Sequence, residues 1–406
     1  MICRGCYVPL TLTFLDLGMS PIANDLISPE KVNEQEVYYP LHAMTCSNCS
    51  LVQLPEIASP ESLFRSDYVY FSSYSSTWLE HSKKYVEKIV EILKLNSDDL
   101  VIEVASNDGY LLQYFNEIGI QVLGIEPSFG VAQSAIEKGI NTVIDFFGAE
   151  TAVELNLTKK PKLMLGNNVL AHVPDIHNFV KGFALLIADD GLITFEFPHL
   201  LNLIKDNQFD TIYHEHYSYL SVTALIPILQ TNGLKVVRIE KLTTHGGSLR
   251  IYVAKMFSNW EVDASVNSIL NEEIEHDPRD ESVWRRVQEK SIQVKNELIR
   301  ELNNCKMNGS TVAAYGAAAK GNTILNFSGV TSELIDYVVD INPHKQGNFL
   351  PGSKIRIVGL DELVKNPPDV LLVLPWNIAS EVKLQLSKEV MNGMKLLRAI
   401  PKLEYF

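Results

Sequence analysis

Within Tyr213-His214-Glu215-His216-Tyr217, five neighbouring residues supply two imidazoles, a carboxylate and two phenols. A metal site on His214, Glu215 and His216 is disfavoured, because adjacent side chains point different ways and the His-x-x-x-His spacing of a helical site is missing. Two readings stay open. One is a satisfied network in which Tyr and His pair buried groups. The other is general acid–base chemistry, for which imidazole is suited by an ordinary pKa near neutrality. A base beside a ketone makes a carbon nucleophile by removing an α-proton. The enolate oxygen then needs hydrogen-bond donors, and the carbon must face its electrophile in line.

A second set of reactive residues is the cysteines. Cys3, Cys6, Cys46 and Cys49 form two Cys-x-x-Cys pairs, and Cys305 stands apart. In a reducing compartment two matched pairs point to metal rather than disulfides. Four thiolates close a tetrahedral Zn²⁺ and leave no open position, so the metal is expected to be structural. The alternative is two unmetallated pairs, one of them redox-active.

A third set lies between Asp98 and Glu126. An apolar run, Leu100 to Val104, ends at Ser106-Asn107-Asp108-Gly109. A helical pattern follows at Leu111, Leu112, Phe115 and Ile118, and a second strand ends on Glu126. Such strand–turn–helix–strand units hold nucleoside cofactors. The turn has a single glycine, poorly suited to the close approach of a pyrophosphate. S-adenosylmethionine fits better: it has no phosphate, and its cationic sulfonium and ammonium groups are favoured by Glu103 and Asp108. Glu126 is placed to accept hydrogen bonds from both ribose hydroxyls, and Pro127, Asn167 and Asn168 fall at the same strand ends.

These residues need a scaffold. A chain of 406 residues can bury a large core and divides into two or three domains. Residues 1–66 read as a metal-tied unit with little core of its own. Residues 67–257 open with an aromatic segment, Asp67 to Ser76, which is either a strap over a ligand or a linker packed on the core. Strands and helices then alternate, as in a mostly parallel sheet covered on both faces. Residues 258–305 form a helical connector with apolar positions at helical spacing. Residues 306–406 repeat the strand–helix theme, with Gly316-Ala317-Ala318-Ala319-Lys320-Gly321 in place of a P-loop.

A formal net charge of −14 and the lack of a basic run argue against nucleic-acid binding. No run of about 18 apolar residues is present to span a membrane, and no leader pattern opens the chain. A cytoplasmic location is expected, while the oligomeric state is open.

Glu103 to Gly109 resembles the first motif of class I methyltransferases, although Ala105 and Asn107 stand where glycines are usual. More specifically, the chain resembles the branch that C-methylates nucleotide-linked deoxysugars at C3. The similarity covers nearly the whole chain and rests on the four cysteines, Ser106 to Gly109, Tyr213 to His216, His245 to Arg250 and Tyr315 to Lys320. It implies a zinc-binding module, a central methyltransferase domain and a C-terminal Rossmann-like domain without its own dinucleotide. It further implies His216 as base, with Tyr213, Glu215 and His172 in the active site. The substrate would be a nucleotide-diphosphate 4-keto-deoxysugar.

Tyr68 or Tyr70 would cover cofactor and sugar, and His245 would lie in a tight ligand-facing turn. Lys320 and Asn322 are the candidates for the diphosphate, and His344, Lys345, Trp376 and Asn377 for the nucleotide. Three alternatives are O- or N-methylation of a small molecule, an NAD-dependent sugar-modifying enzyme with Asp340 on the ribose, and a non-catalytic sugar-nucleotide binder.

Overall fold

The computed structural model describes residues 1–57, 59, 71–386 and 393–406. Its centre is a seven-stranded sheet. In spatial order the strands are Leu234–Leu242, Ser248–Lys255, Leu192–Pro198, Leu163–Asn167, Leu100–Val104, Gln121–Ile125 and Thr142–Val143. The last five run parallel, and their apolar residues are buried on both faces, as crossover helices require. The first two form an antiparallel hairpin on one edge, which the strand–helix alternation does not disclose. Parallel pairing sets Glu103 beside Gly124 and Asn167 beside Glu196, so these polar groups gather at one end of the sheet.

A small antiparallel sheet joins Leu12–Ser20, Tyr39–Thr45 and Val52–Gln53 from the N-terminal residues. Its fourth strand is Ser218–Tyr219, borrowed from the connection between the central-sheet strands Leu192–Pro198 and Leu234–Leu242. The third sheet orders Ile357–Val358, Val338–Val339, Val312–Tyr315, Val370–Val373, Lys395–Arg398 and Glu404–Tyr405, parallel except at the last pair.

Between the central and C-terminal sheets lie two helices, Ala264–Ile274 and Glu281–Met307. The long one buries Val283, Val287, Val294, Leu298 and Leu302, a stripe at three- and four-residue spacing. That stripe shares one core with Phe14 and Leu15 of the N-terminal sheet and Val312 and Leu325 of the C-terminal unit. Each such side chain stabilises by about 1.5–3 kcal/mol when fully buried. The shorter helix does more than connect: buried Glu273 accepts from Val222 N (2.8 Å) and Thr223 N (2.8 Å) and pairs with His199 (2.7 Å). No helix among the described residues is long and apolar enough to cross a membrane.

Candidate active site and metal centre

The four N-terminal cysteine sulfurs lie within 4.8 Å of one another. Cys3 and Cys49 are 3.5 Å apart, and Cys6 and Cys46 are 3.4 Å apart. Tetrahedral zinc with bonds of about 2.3 Å wants sulfurs about 3.8 Å apart, so the set fits the ion. Each pair closes as a knuckle. Tyr7 N–H donates to the Cys3 carbonyl (2.8 Å) and Ser50 N–H to the Cys46 carbonyl (3.0 Å), and Tyr7 and Ser50 both have positive φ (62° and 63°). The Cys3 sulfur accepts from Gly5 N (3.4 Å) and Gln53 Nε2 (3.2 Å), donors that suit a thiolate.

At the end of Leu100–Val104 the chain turns through Ala105 (φ 56°), Asn107 (φ 51°) and Gly109 (φ 75°). The backbone thus holds the left-handed conformation that favours glycine even where alanine and asparagine stand, at about 1 kcal/mol or more each. Glu126 ties the turn down by accepting from Asn107 N (3.0 Å) and Ser128 N (2.9 Å). Pro127 lies between these anchors. Asp108 pairs with Lys138 (2.8 Å) and accepts from the Ser73 hydroxyl, and Asn107 Oδ1 accepts from Ser72 N (2.8 Å).

Buried Ser106 Oγ, Asp108 Oδ1 and Asn168 Oδ1 lack a hydrogen-bond partner here, while Glu103 and Asn167 share the Tyr110 hydroxyl. Each such atom costs about 1–3 kcal/mol when left unsatisfied, so the cluster suits a polar ligand. Burial pushes the Glu103 carboxyl well above the usual range, with the nearby Tyr110 hydroxyl opposing. A cationic ligand would hold it ionised. These residues fit S-adenosylmethionine.

Across the sheet end, His216 Nδ1–H donates to the Thr211 carbonyl (3.1 Å), which leaves Nε2 as the basic nitrogen. The Tyr213 hydroxyl lies 2.8 Å from that Nε2. His172 packs edge-on to His216, ring centroids 4.6 Å apart, and its Nδ1–H donates to the Glu215 carbonyl (2.7 Å). Burial lowers the His216 pKa well below its ordinary value, with His172, Lys320 and His245 adding to the effect. Burial likewise lowers His172 and His245 to about 4. Both imidazoles beside Tyr213 are therefore neutral near pH 7, and each keeps some access to solvent.

The glycine turn after the hairpin's first strand is as tight as its composition implies, with positive φ at His245, Gly246 and Gly247. Asn168 Nδ2 donates to His245 Nε2 (3.3 Å). A Cβ at Gly246 would lie 2.3 Å from the Trp376 ring, so only glycine admits the C-terminal unit this close. Trp376 Nε1–H donates to Asp210 Oδ2 (2.7 Å), and Lys320 sits 4.9 Å over the Trp376 ring while donating to Asn377 Oδ1 (2.7 Å). Lys320 therefore belongs to the wall beside His216 and His245. Asn322 is buried, and neither amide atom has a partner.

A relative, C-methyltransferase NovU of Streptomyces niveus, is 33% identical over 98% of this chain and 95% of its own length. The chain belongs to the C-methyltransferase family. A family model described as the C-methyltransferase C-terminal domain matches residues 243–401, a methyltransferase domain model residues 78–239 and a zinc binding domain model residues 3–64. Two solved structures overlap the chain in part. The magnesium protoporphyrin IX methyltransferase of Synechocystis with bound SAH is 18% identical, covering 43% of this chain and 83% of its own, at a TM-score of 0.33. A S-adenosylmethionine-dependent methyltransferase from Clostridium acetobutylicum is 12% identical, covering 44% and 92%, at a TM-score of 0.36.

This C-methyltransferase is an S-adenosylmethionine-dependent enzyme with a class I Rossmann-like domain, a zinc-binding domain and a second C-terminal α/β domain. Its expected site residues do not all meet. His172, Tyr213, His216, His245, Lys320 and Trp376 converge. Glu215 takes part through its backbone oxygen, while its carboxylate turns away to accept from Asn24 N (3.1 Å). Lys345 donates to the Ala317 carbonyl (2.7 Å) within its own unit, and His344 stacks on Phe71 at 5.9 Å. Tyr68 and Tyr70 lie outside the described residues. Glu196, at the same sheet end, is held by His81 (2.9 Å), Arg250 (2.7 Å) and Thr244 (3.0 Å); against the upward push of burial, these keep its pKa down.

In the C-terminal unit both Asp340 oxygens accept backbone bonds, from Ala317 N (2.8 Å) and Asn342 N (2.8 Å), and the Pro375 ring would lie 2.5 Å from a Cβ at Gly316, so that position requires glycine. Asp210 was not singled out by sequence reasoning, because nothing in Phe209-Asp210-Thr211 discloses that a tryptophan from residue 376 reaches it.

Proposed function

We propose that this C-methyltransferase methylates C3 of a nucleotide-diphosphate 4-keto-deoxysugar, through an enolate made at the His216–Tyr213 cluster. The observation that carries the reading is the neutral His216, with Nδ1 committed to the Thr211 carbonyl and Nε2 beside the Tyr213 hydroxyl. Carbon methylation needs a carbanion equivalent, and a 4-ketone makes the C3 proton acidic enough for imidazole to remove.

His216 Nε2 would take the C3 proton, and the electron pair would move toward the C4 oxygen. The Tyr213 hydroxyl, which donates to Nε2 in the free protein, would turn its O–H toward that oxygen when substrate displaces it. His172, held by the Glu215 carbonyl, would orient its neighbour through their edge-on ring contact. S-adenosylmethionine, held by Glu103, the Ser106–Gly109 turn, Glu126 and the Asn167–Asn168 strand end, supplies the electrophilic methyl group. Lys320, with Trp376 and Asn377 beside it, offers positive charge for the substrate's anionic part in an otherwise acidic protein. A panel of 4-keto-deoxysugar nucleotides with S-adenosylmethionine, scored by mass, tests the reading. One added methyl on carbon supports it; methyl found only on oxygen or nitrogen removes it.

A further inference from the structure

The segment that carries His216 is built into the zinc-binding unit. Asn24 N–H donates to Glu215 Oε1 (3.1 Å), His214 Nε2–H to the Pro40 carbonyl (3.3 Å) and Leu54 N–H to the Tyr217 carbonyl (3.0 Å). Val52-Gln53 then pairs antiparallel with Tyr219 and Ser218. The Tyr219 hydroxyl accepts Tyr213 N–H (3.2 Å), which closes the loop around His216. Apart from that internal bond, each link ends on the zinc side at a residue between 24 and 54.

Within that unit one side chain joins the knuckles to the borrowed strand. Gln53 is buried, its Nε2 donates to Cys3 Sγ (3.2 Å) and its Oε1 accepts Arg4 N–H (2.9 Å). Its backbone sits opposite Ser218, two residues from His216. Arg4 adds a second tie, donating to the Leu54 carbonyl (2.7 Å) with its guanidinium 5.3 Å from the Tyr217 ring. Cys46 and Leu51 also share a core with Ile228 and Leu225 of the methyltransferase unit, so the knuckles cannot shift without moving what they pack on.

We propose that the four-cysteine zinc centre is a positioning device for the His216 segment, and that Gln53 is the positioning residue that transmits it. With zinc bound, Cys3 is a fixed thiolate and Gln53 has a fixed partner; the strand Val52–Gln53 then holds Ser218–Tyr219 in register. Without it, the strand keeps its sequence but loses the anchor that sets its place. Thiolate acceptance of an N–H is a charge-assisted bond, stronger than a neutral one. The catalytic meaning of this device rests on His216 as base, but the device itself does not.

Hydrogen exchange of the wild-type protein, with zinc and after chelation, tests it without any substrate. We expect amides of residues 213–219 to lose protection by roughly tenfold or more, while residues 100–126 and S-adenosylmethionine affinity by calorimetry stay within about twofold. In Gln53→Leu, with four cysteines intact and zinc still bound, kcat should fall roughly tenfold with KM nearly unchanged, and the acid limb of the pH profile should move. Unchanged protection of 213–219 after chelation overturns the proposal. So does equal loss across 100–126, which would make zinc a general staple. Absence of turnover in the zinc-loaded wild type removes the sugar reading and leaves the exchange result to stand by itself.

Discussion

The cofactor turn and the catalytic segment meet at one end of one sheet, yet they are held in opposite ways. Around the turn the bonds stay within the central domain: Glu126 reaches Asn107 across 19 positions, Lys138 reaches Asp108 across 30 and Ser72 reaches Asn107 across 35. Around the segment they are remote. Asn24 to Glu215 spans 191 positions, Pro40 to His214 spans 174, Trp376 to Asp210 spans 166 and Thr323 to Ile212 spans 111. The turn is an autonomous piece of the central domain with unsatisfied polar atoms awaiting a ligand. The segment is a strap fastened by the zinc unit on one side and the C-terminal unit on the other. On the proposed reading the first half would hold the methyl donor, and the second would make the nucleophile with all three units fastened around it.

Substitutions in the two regions are expected to separate binding from chemistry. The largest effect belongs to His216→Gln, expected to cut turnover by roughly 10²–10⁴ while calorimetry shows S-adenosylmethionine bound as before. A parallel loss of cofactor affinity would blur the two halves. Next is Glu126→Ala, which frees Asn107 N and Ser128 N. Cofactor affinity should fall roughly 10- to 100-fold, with the C3 proton still exchanging.

Trp376→Phe keeps the ring against Gly246 and Lys320 but leaves Asp210 buried without its donor. We expect a loss of about 1–3 kcal/mol in thermal or denaturant unfolding, and lower kcat at unchanged cofactor affinity. Burial raises Asp210 to about 6, with Lys320 and Trp376 opposing, so removing the indole N–H raises it further. The wild-type carboxylate therefore weakens the fold as pH rises from about 4 through 6, and Trp376→Phe should extend that window upward.

The smallest effect is in the pH profile. Because burial lowers His216, its base form persists as pH falls, and the acid limb of kcat/KM should lie below the ordinary histidine value of about 6.5. The same shifts at His172 and His245, both to about 4, weaken the fold as pH falls from about 6.5 toward 4. In that window the unfolded chain takes up protons that the folded chain refuses. A rate limb at or above pH 6.5 would contradict a desolvated base.

What could be read from the sequence follows the same division. The strand ends, the Ser106–Gly109 turn and the cysteine pairs are local patterns, since period, turn chemistry and ligand spacing act over a few residues. Even there, the left-handed backbone at Ala105 was hidden by a residue that seldom adopts it. Tyr213 to His216 could be picked out by chemistry alone, but not their fastenings. Glu215 is placed in the active site by the resemblance alone, and the sequence does not show that its backbone oxygen faces His172 while its carboxylate meets Asn24. Asp210, Gln53 and the borrowed strand Ser218–Tyr219 had no local mark at all. Their roles come from partners distant in sequence, which no periodicity encodes.

The central claim is that the catalytic segment makes the carbon nucleophile by itself, separately from the cofactor turn. The direct measurement is washout of the C3 proton of a 4-keto-deoxysugar nucleotide into deuterated water, followed by NMR with S-adenosylhomocysteine in place of the donor. Exchange well above the buffer rate in the wild type and in Glu126→Ala, and near the buffer rate in His216→Gln, is the expected result. Equal exchange in wild type and His216→Gln would contradict it.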